Sequence, residues 1–232
     1  TGKQKVIIDN QVTEKDVIIK ASGLELSALS DINIKTDVEE LKAEIIDEGD
    51  ITIDEADSIT ISNVSVEEGS LTISTVDVDA EITIGEVEVS DDIEITTGQI
   101  YSADISNDGI VDLSGETLTV TVTKGIGTDS ILLETSVKNL TVNAGSGVNV
   151  SNYEELTVDS INAGAGVQVE TLGSLTITGD VSANGRIRLE SIDSAEAGED
   201  LTINANITTT SGDITLNSGE NLTIAEGVSV EP

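Results

Sequence analysis

The chain has 232 residues, with 45 Asp and Glu against 10 Lys and Arg for a formal net charge of -35, no His, Cys, Met, Trp or Phe, and two Tyr. This inventory excludes Ser-His-Asp and Cys-His nucleophiles, zinc held by imidazole or thiolate, and haem, copper or iron-sulfur ligation, so any metal must be hard and oxygen-bound. So negative a chain repels phosphate backbones and anionic headgroups, which argues against nucleic acid and membrane-surface partners, and no run approaches the ~20 consecutive apolar residues of a membrane helix.

High charge with few aromatics is also the composition of disorder. Against that stand 37% hydrophobic residues and a mean hydropathy of +0.04. The apolar residues also fall in alternating triplets such as Ile51-Thr52-Ile53, Leu71-Thr72-Ile73, Val87-Glu88-Val89, Val148-Asn149-Val150 and Leu222-Thr223-Ile224. Period two with β-branched enrichment marks short strands with one buried face. The sequence opens on Thr1, which reads as a processed product or an excised segment.

Residues 1–50 are the least regular. Val6-Ile7-Ile8 and Val17-Ile18-Ile19 read as strands, whereas Val38, Leu41 and Ile45 have helix-compatible spacing, so this stretch is expected to be a cap or an irregular coil. It holds six of the ten basic residues: Lys3, Lys5, Lys15, Lys20, Lys35 and Lys42. Residues 51–117 show tight acidic coils. Ile59, Val76 and Ile93 lie 17 apart, while Leu71, Ile82 and Ile93 lie 11 apart, which leaves the face assignment open.

In residues 118–232 the repeat is plain. Leu-Thr-Val/Ile triplets begin at Leu118, Leu140, Leu156, Leu175, Leu201 and Leu222, and a second series starts at Val111, Ile131, Val148, Val167, Ile187 and Ile214. A third, weaker series comprises Ile105, Ile161, Val181 and Ile207. Gly109, Gly147, Gly166, Gly185 and Gly212 precede members of the second series, where a corner needs glycine. A unit of about 20 residues cannot bury its own Val, Ile and Leu, but stacked units can. The expected fold is all-β: a right-handed parallel β-helix, or β-solenoid, with three short strands per coil of about 17–22 residues.

The run Gly212-Asp213-Ile214-Thr215-Leu216-Asn217-Ser218-Gly219-Glu220-Asn221-Leu222-Thr223-Ile224, with weaker copies back to about Leu118, resembles the repeat of filamentous-haemagglutinin-type bacterial surface proteins. That resemblance implies a right-handed β-helix exported to a cell surface as an adhesive or structural fibre. The denser acidic first half departs from the pattern, and no secretion domain is visible.

Candidate chemistry is sparse. Gly125-Ile126-Gly127-Thr128-Asp129-Ser130-Ile131 fits one copy of a Gly-x-Gly-x-Asp calcium repeat, with Asp129 as ligand, set against a plain glycine corner. Asp47, Glu48, Asp50, Asp54, Glu55 and Asp57, then Asp91 and Asp92, form acidic clusters able to assemble a calcium site or simply to remain a solvated surface. A polysaccharide-cleaving pair of carboxylates normally adds aromatic platforms and basic groups, of which the helical region offers only Tyr101, Tyr153, Lys124, Lys138, Arg186 and Arg188. The column Thr119, Thr141, Thr157, Thr176, Thr202 and Thr223 reads as cross-strand pairing. Asn-x-Ser/Thr sequons at Asn63, Asn139, Asn149, Asn206 and Asn221 follow from the same repeat.

The expected function is that of a non-enzymatic, extracellular, cell-surface fibre segment that associates with copies of itself head to tail. The alternative is an adhesin stalk binding a glycan or host surface, for example through the acidic insertion 190–200. No cofactor is required, with Ca2+ the one candidate ion.

Overall fold

The computed structural model describes residues 4–8, 12–103, 109–193 and 198–232, and these contain strands but no helix. All the strands belong to one parallel sheet wound as a β-solenoid of about 10 turns. At ~4.8 Å per turn the ladder is ~48 Å long.

Two columns of strands dominate the N-terminal coils. One contains Leu24–Ala28, Glu40–Glu48 and Ile59–Glu68, and the other contains Ile32–Val38, Ile51–Glu55, Leu71–Thr75 and Asp92–Thr97. Like residues stack on like. Ile34, Ile53, Ile73, Ile95, Val120 and Val142 are successive register partners, all buried. Each strand thus contributes its inward residues to a continuous apolar file, and the ladder of the next coil fixes their spacing.

The C-terminal coils have three strands each, for example Val167–Thr171, Leu175–Ile177 and Val181–Ala183, then Ile187–Ser191, Leu201–Ile203 and Ile207–Thr209. The three sequence series are the three files of this region. Val148, Val167, Ile187 and Ile214 stack in register, as do Leu156, Leu175, Leu201 and Leu222, and Ile161, Val181 and Ile207. In the N-terminal coils, longer strands that bend replace two short ones. One bend is a register shift between Leu41 and Lys42, which pair with Ile61 and Asn63.

Several placements differ from the sequence expectation. Val111 and Ile131 lie outside the strands, and Leu113 and Leu133 take the buried places two residues later. Val76 is 76% exposed on a loop, so the 17-residue series fails, and Leu71 stacks on Ile93 and Ile59 on Ile82 instead. Ile105 falls outside the described residues. The segment with helix-like spacing is strand, because Ala43 is buried between Leu41 and Ile45 and completes a period-two pattern. Residues 24–48 accordingly belong to the same ladder as the coils that follow.

Close stacking explains two glycines directly. A Cβ on Gly164 would sit 2.0 Å from the Gly145 carbonyl oxygen, and one on Gly145 2.0 Å from that of Thr123. The expected outcome of Gly164→Ala is a loss of about 1–3 kcal/mol by overpacking, and Ile73→Ala should cost about 2–5 kcal/mol by leaving a cavity in the file. Urea unfolding monitored by circular dichroism checks both, with outward Thr72→Ser as the near-neutral control.

Candidate functional site

Period two splits the acidic cluster that the sequence places together. Along Ile51–Glu55 the inward residues are Ile51, Ile53 and Glu55, while Asp54 points outward and accepts a hydrogen bond from the Ser74 hydroxyl at 2.7 Å. Asp50 and Asp57 flank that strand at opposite corners, a span of ~17 Å or more for five extended residues. Asp47 is exposed near the end of the preceding strand, and Asp129 is exposed several coils away. The structure therefore brings the five proposed ligands Asp47, Asp50, Asp54, Asp57 and Asp129 to different places.

It assembles a different trio. Asp37, Glu55 and Asp57 each offer a carboxylate oxygen, and these oxygens lie within 4.8 Å of one another. Glu55 is fully buried, accepting from the Thr36 hydroxyl at 2.6 Å and from the amides of Ala56 at 2.9 Å and Val38 at 3.2 Å. Asp37 is ion-paired with Lys20. A hard cation such as calcium takes 6–8 oxygens, and two of these three carboxylates already have protein donors. The trio is best described as a corner in which a buried acid holds the chain as it turns.

Burial pushes the Glu55 carboxyl above its ordinary range, and the hydrogen bonds from Thr36 and the backbone only partly oppose it.

Other carboxylates at the corners have a structural task as well. The Asp31 carboxylate accepts from the Asp50 amide at 3.0 Å, and Asp50 in turn accepts from the Ser70 amide at 2.8 Å. Asp180 accepts from the Asn206 amide at 3.1 Å, Asp200 from the Asn221 amide at 3.0 Å, and Asp112 from the Glu134 amide at 2.9 Å. A corner Asp thus caps an amide of the coil stacked on it, replacing a ladder bond where the backbone bends away. Asp31, Glu48, Asp50, Glu68 and Asp91 border the open groove of about 650 Å³ along one such corner.

Two polar groups of the interior escaped sequence reasoning. Thr135, Asn152, Thr171 and Ser191 form a buried file at one corner, in register from coil to coil. Asn152 is fully satisfied: Oδ1 accepts from the Thr135 hydroxyl and the Val137 amide, both at 2.9 Å, and Nδ2 donates to the carbonyls of Val137 at 3.1 Å and Glu154 at 3.0 Å. Beside it, buried Glu134 accepts from the Gly109 amide at 3.0 Å and from the Tyr153 hydroxyl. Burial, then the hydrogen bond to Glu134, pushes the Tyr153 phenol up to about 12, so it stays a donor through the neutral range. The available signal was an Asn, Thr or Ser two residues after each successive Val/Ile-x-Val/Leu triplet: Asn152, Thr171 and Ser191.

The Thr column is real where the coils are in register. Thr119 stacks on Thr141, and Thr157, Thr176, Thr202 and Thr223 stack in turn. It is broken between them, because a shift after Leu140 places Thr141 opposite Ser160. Of the insertion 190–200, residues 194–197 lie outside the described residues. Comparison with family models, with curated proteins and with solved structures finds no match. The chain is a β-helix repeat protein by its structure.

Since burial raises the folded Glu55 pKa above the unfolded value, the protonated form is favoured in the native state. Its contribution is greatest below the unfolded Glu range near 4.5 and is lost as pH rises through the folded pKa. Glu55→Gln is expected to remove that part of the pH dependence, so that its stability relative to wild type improves from pH 4 to pH 8 in paired denaturation curves. Asn152→Leu, which strips the partners from Thr135 and three backbone groups, is expected to cost about 2–4 kcal/mol by the same measurement.

Proposed function

We propose that this chain is a non-enzymatic rod segment of an extracellular, cell-surface fibre, kin to filamentous-haemagglutinin-type proteins, in which β-helical coils continue from one subunit to the next by head-to-tail stacking. The observation that supports this reading is the last described coil. Leu222 and Ile224 are 47% and 45% exposed, yet they occupy the same files as Leu201 and Ile203, which are fully buried. One edge of that strand is paired with the coil before it, and among the described residues no strand covers the other, so its apolar file is open to a further coil, of a longer chain or of a second copy. A heterologous contact of this kind propagates into a filament.

The side-chain inventory favours the same reading over turnover. A sequence without His or Cys has few groups for acid-base work near neutral pH. Three of the four buried carboxylates among the described residues, Glu55, Glu134 and Asp112, are engaged in holding corners. The Lys-richer first 50 residues against a more acidic body supply a polarity along the rod.

The test is electron microscopy and sedimentation of the purified chain over a concentration series, with and without calcium. Linear oligomers with a ~4.8 Å axial repeat are expected, and the paired change Leu222→Glu and Ile224→Glu should reduce them to single particles. Single particles from the wild-type chain under every condition would overturn the reading.

A further inference from the structure

An open groove of about 800 Å³ runs across the coils from Gln99 to Arg186. Its floor is a line of corners joined by ladder bonds: the amides of Ile100, Ile126, Val148 and Val167 donate to the carbonyls of Gly125, Gly147, Gly166 and Arg186. Five coils at ~4.8 Å make a trough ~19 Å long. One wall is the turn that begins at Gly127, with φ +58° and a Thr128 amide to Ile131 carbonyl bond of 2.7 Å, and it presents Asp129.

Two independent features of this trough point to a ligand. The first is Asn149. It is only 7% exposed, its Nδ2 donates to the Ile126 carbonyl at 3.3 Å, and its Oδ1 has no protein donor among the described residues and is left to the groove. Gln168 is its register partner on the next coil, and Gln99 lies at the far end, so side-chain amides recur along the trough.

The second is charge. The only two arginines of the chain are Arg186 and Arg188. Arg188 is neutralised by Glu170 and Glu190, whereas Arg186 on the groove has no ion pair or side-chain hydrogen bond among the described residues. With Asp129 the other charged residue of the lining, the groove is formally neutral on a molecule of net charge -35, and its guanidinium is left unpaired.

We propose that this groove binds an oligosaccharide that is mostly neutral and bears a single carboxylate, with Arg186 holding the carboxylate and Gln99, Asn149 and Gln168 holding hydroxyls. Three considerations select that chemistry. The backbone groups of the floor are already paired in the ladder, so an extended peptide finds no free strand edge to augment. Side-chain amides both donate and accept, which matches hydroxyl groups. The overall charge repels a polyanion but is screened beyond ~8 Å at physiological ionic strength, which leaves room for one carboxylate at one guanidinium.

The site is separate from the stacking surface at Leu222 and Ile224, so its fate is independent of the fibre reading. The experiment is calorimetric titration of the full chain with sialyllactose, its carboxyl methyl ester, lactose and an acidic hexapeptide. Sialyllactose is expected to bind, with the ester and lactose at least about tenfold weaker, in line with the worth of a hydrogen bond to a charged group. Arg186→Gln should weaken sialyllactose about tenfold and leave the ester unchanged. Gly147→Val fills the trough at a position where a Cβ meets nothing closer than 3.6 Å, and should abolish binding while leaving the thermal unfolding curve in place. Absence of sialyllactose binding, equal binding of the ester, tighter binding of the peptide, or indifference to both substitutions would each overturn the proposal.

Discussion

Everything in this molecule depends on the parallel ladder between successive coils. At the corners as along the strands, an amide in one turn donates to a carbonyl in the next: Ile32 to Asp50 at 2.8 Å, Ile51 to Ser70 at 2.9 Å, Val148 to Gly166 at 3.0 Å and Ile187 to Asp213 at 3.0 Å. The ladder fixes the rise at ~4.8 Å, and that rise forces each inward residue to sit on its counterpart. A file of Ile, Val and Leu tolerates this packing, and the glycine corners at Gly145 and Gly164 follow from the same tightness. The interior consequently contains neither Trp nor Phe, and the two Tyr are only partly buried on the outside of the coils.

A chain of charge -35 stacked this closely brings carboxylates near one another. The structure absorbs many of them as hydrogen-bond acceptors for the next coil. Asp31, Asp50, Asp112, Asp180 and Asp200 each take a backbone amide where the chain leaves the strand direction. A carboxylate accepting from an amide is a stronger partner than a neutral side chain, which gives the acidic composition a role at the corners as well as in solubility. Glu55 carries the same logic into the interior, at the expense of a burial cost that the Thr36 hydroxyl and backbone amides only partly offset.

The two functional readings sit on different parts of this scaffold. The proposed stacking would use the axial surface, where the apolar files are uncovered at Leu222 and Ile224. The groove uses the lateral surface, where the corners of coils 99 to 186 retreat behind the wall that bears Asp129. A rod with a repeated lateral trough would present it many times over, so that weak individual contacts add by multivalency.

The sequence by itself determined the fold class, because period-two triplets returning every 20 residues or so leave few ways to bury Val, Ile and Leu other than by stacking. It also determined the C-terminal files, where Val148, Val167 and Ile187 recur with short, nearly constant corners. It misplaced Val76, Val111 and Ile131, because β-branched residues near turns are indistinguishable from strand starts until register is known. Only the tertiary structure decided which acids meet. Asp54 and Glu55 are adjacent in the chain but face opposite ways, whereas Asp37 and Glu55 are a full coil apart and lie together. The physical reason is that a strand alternates its faces at every residue while the ladder joins residues a coil apart, so neighbours in space are set by coil register and not by proximity in sequence.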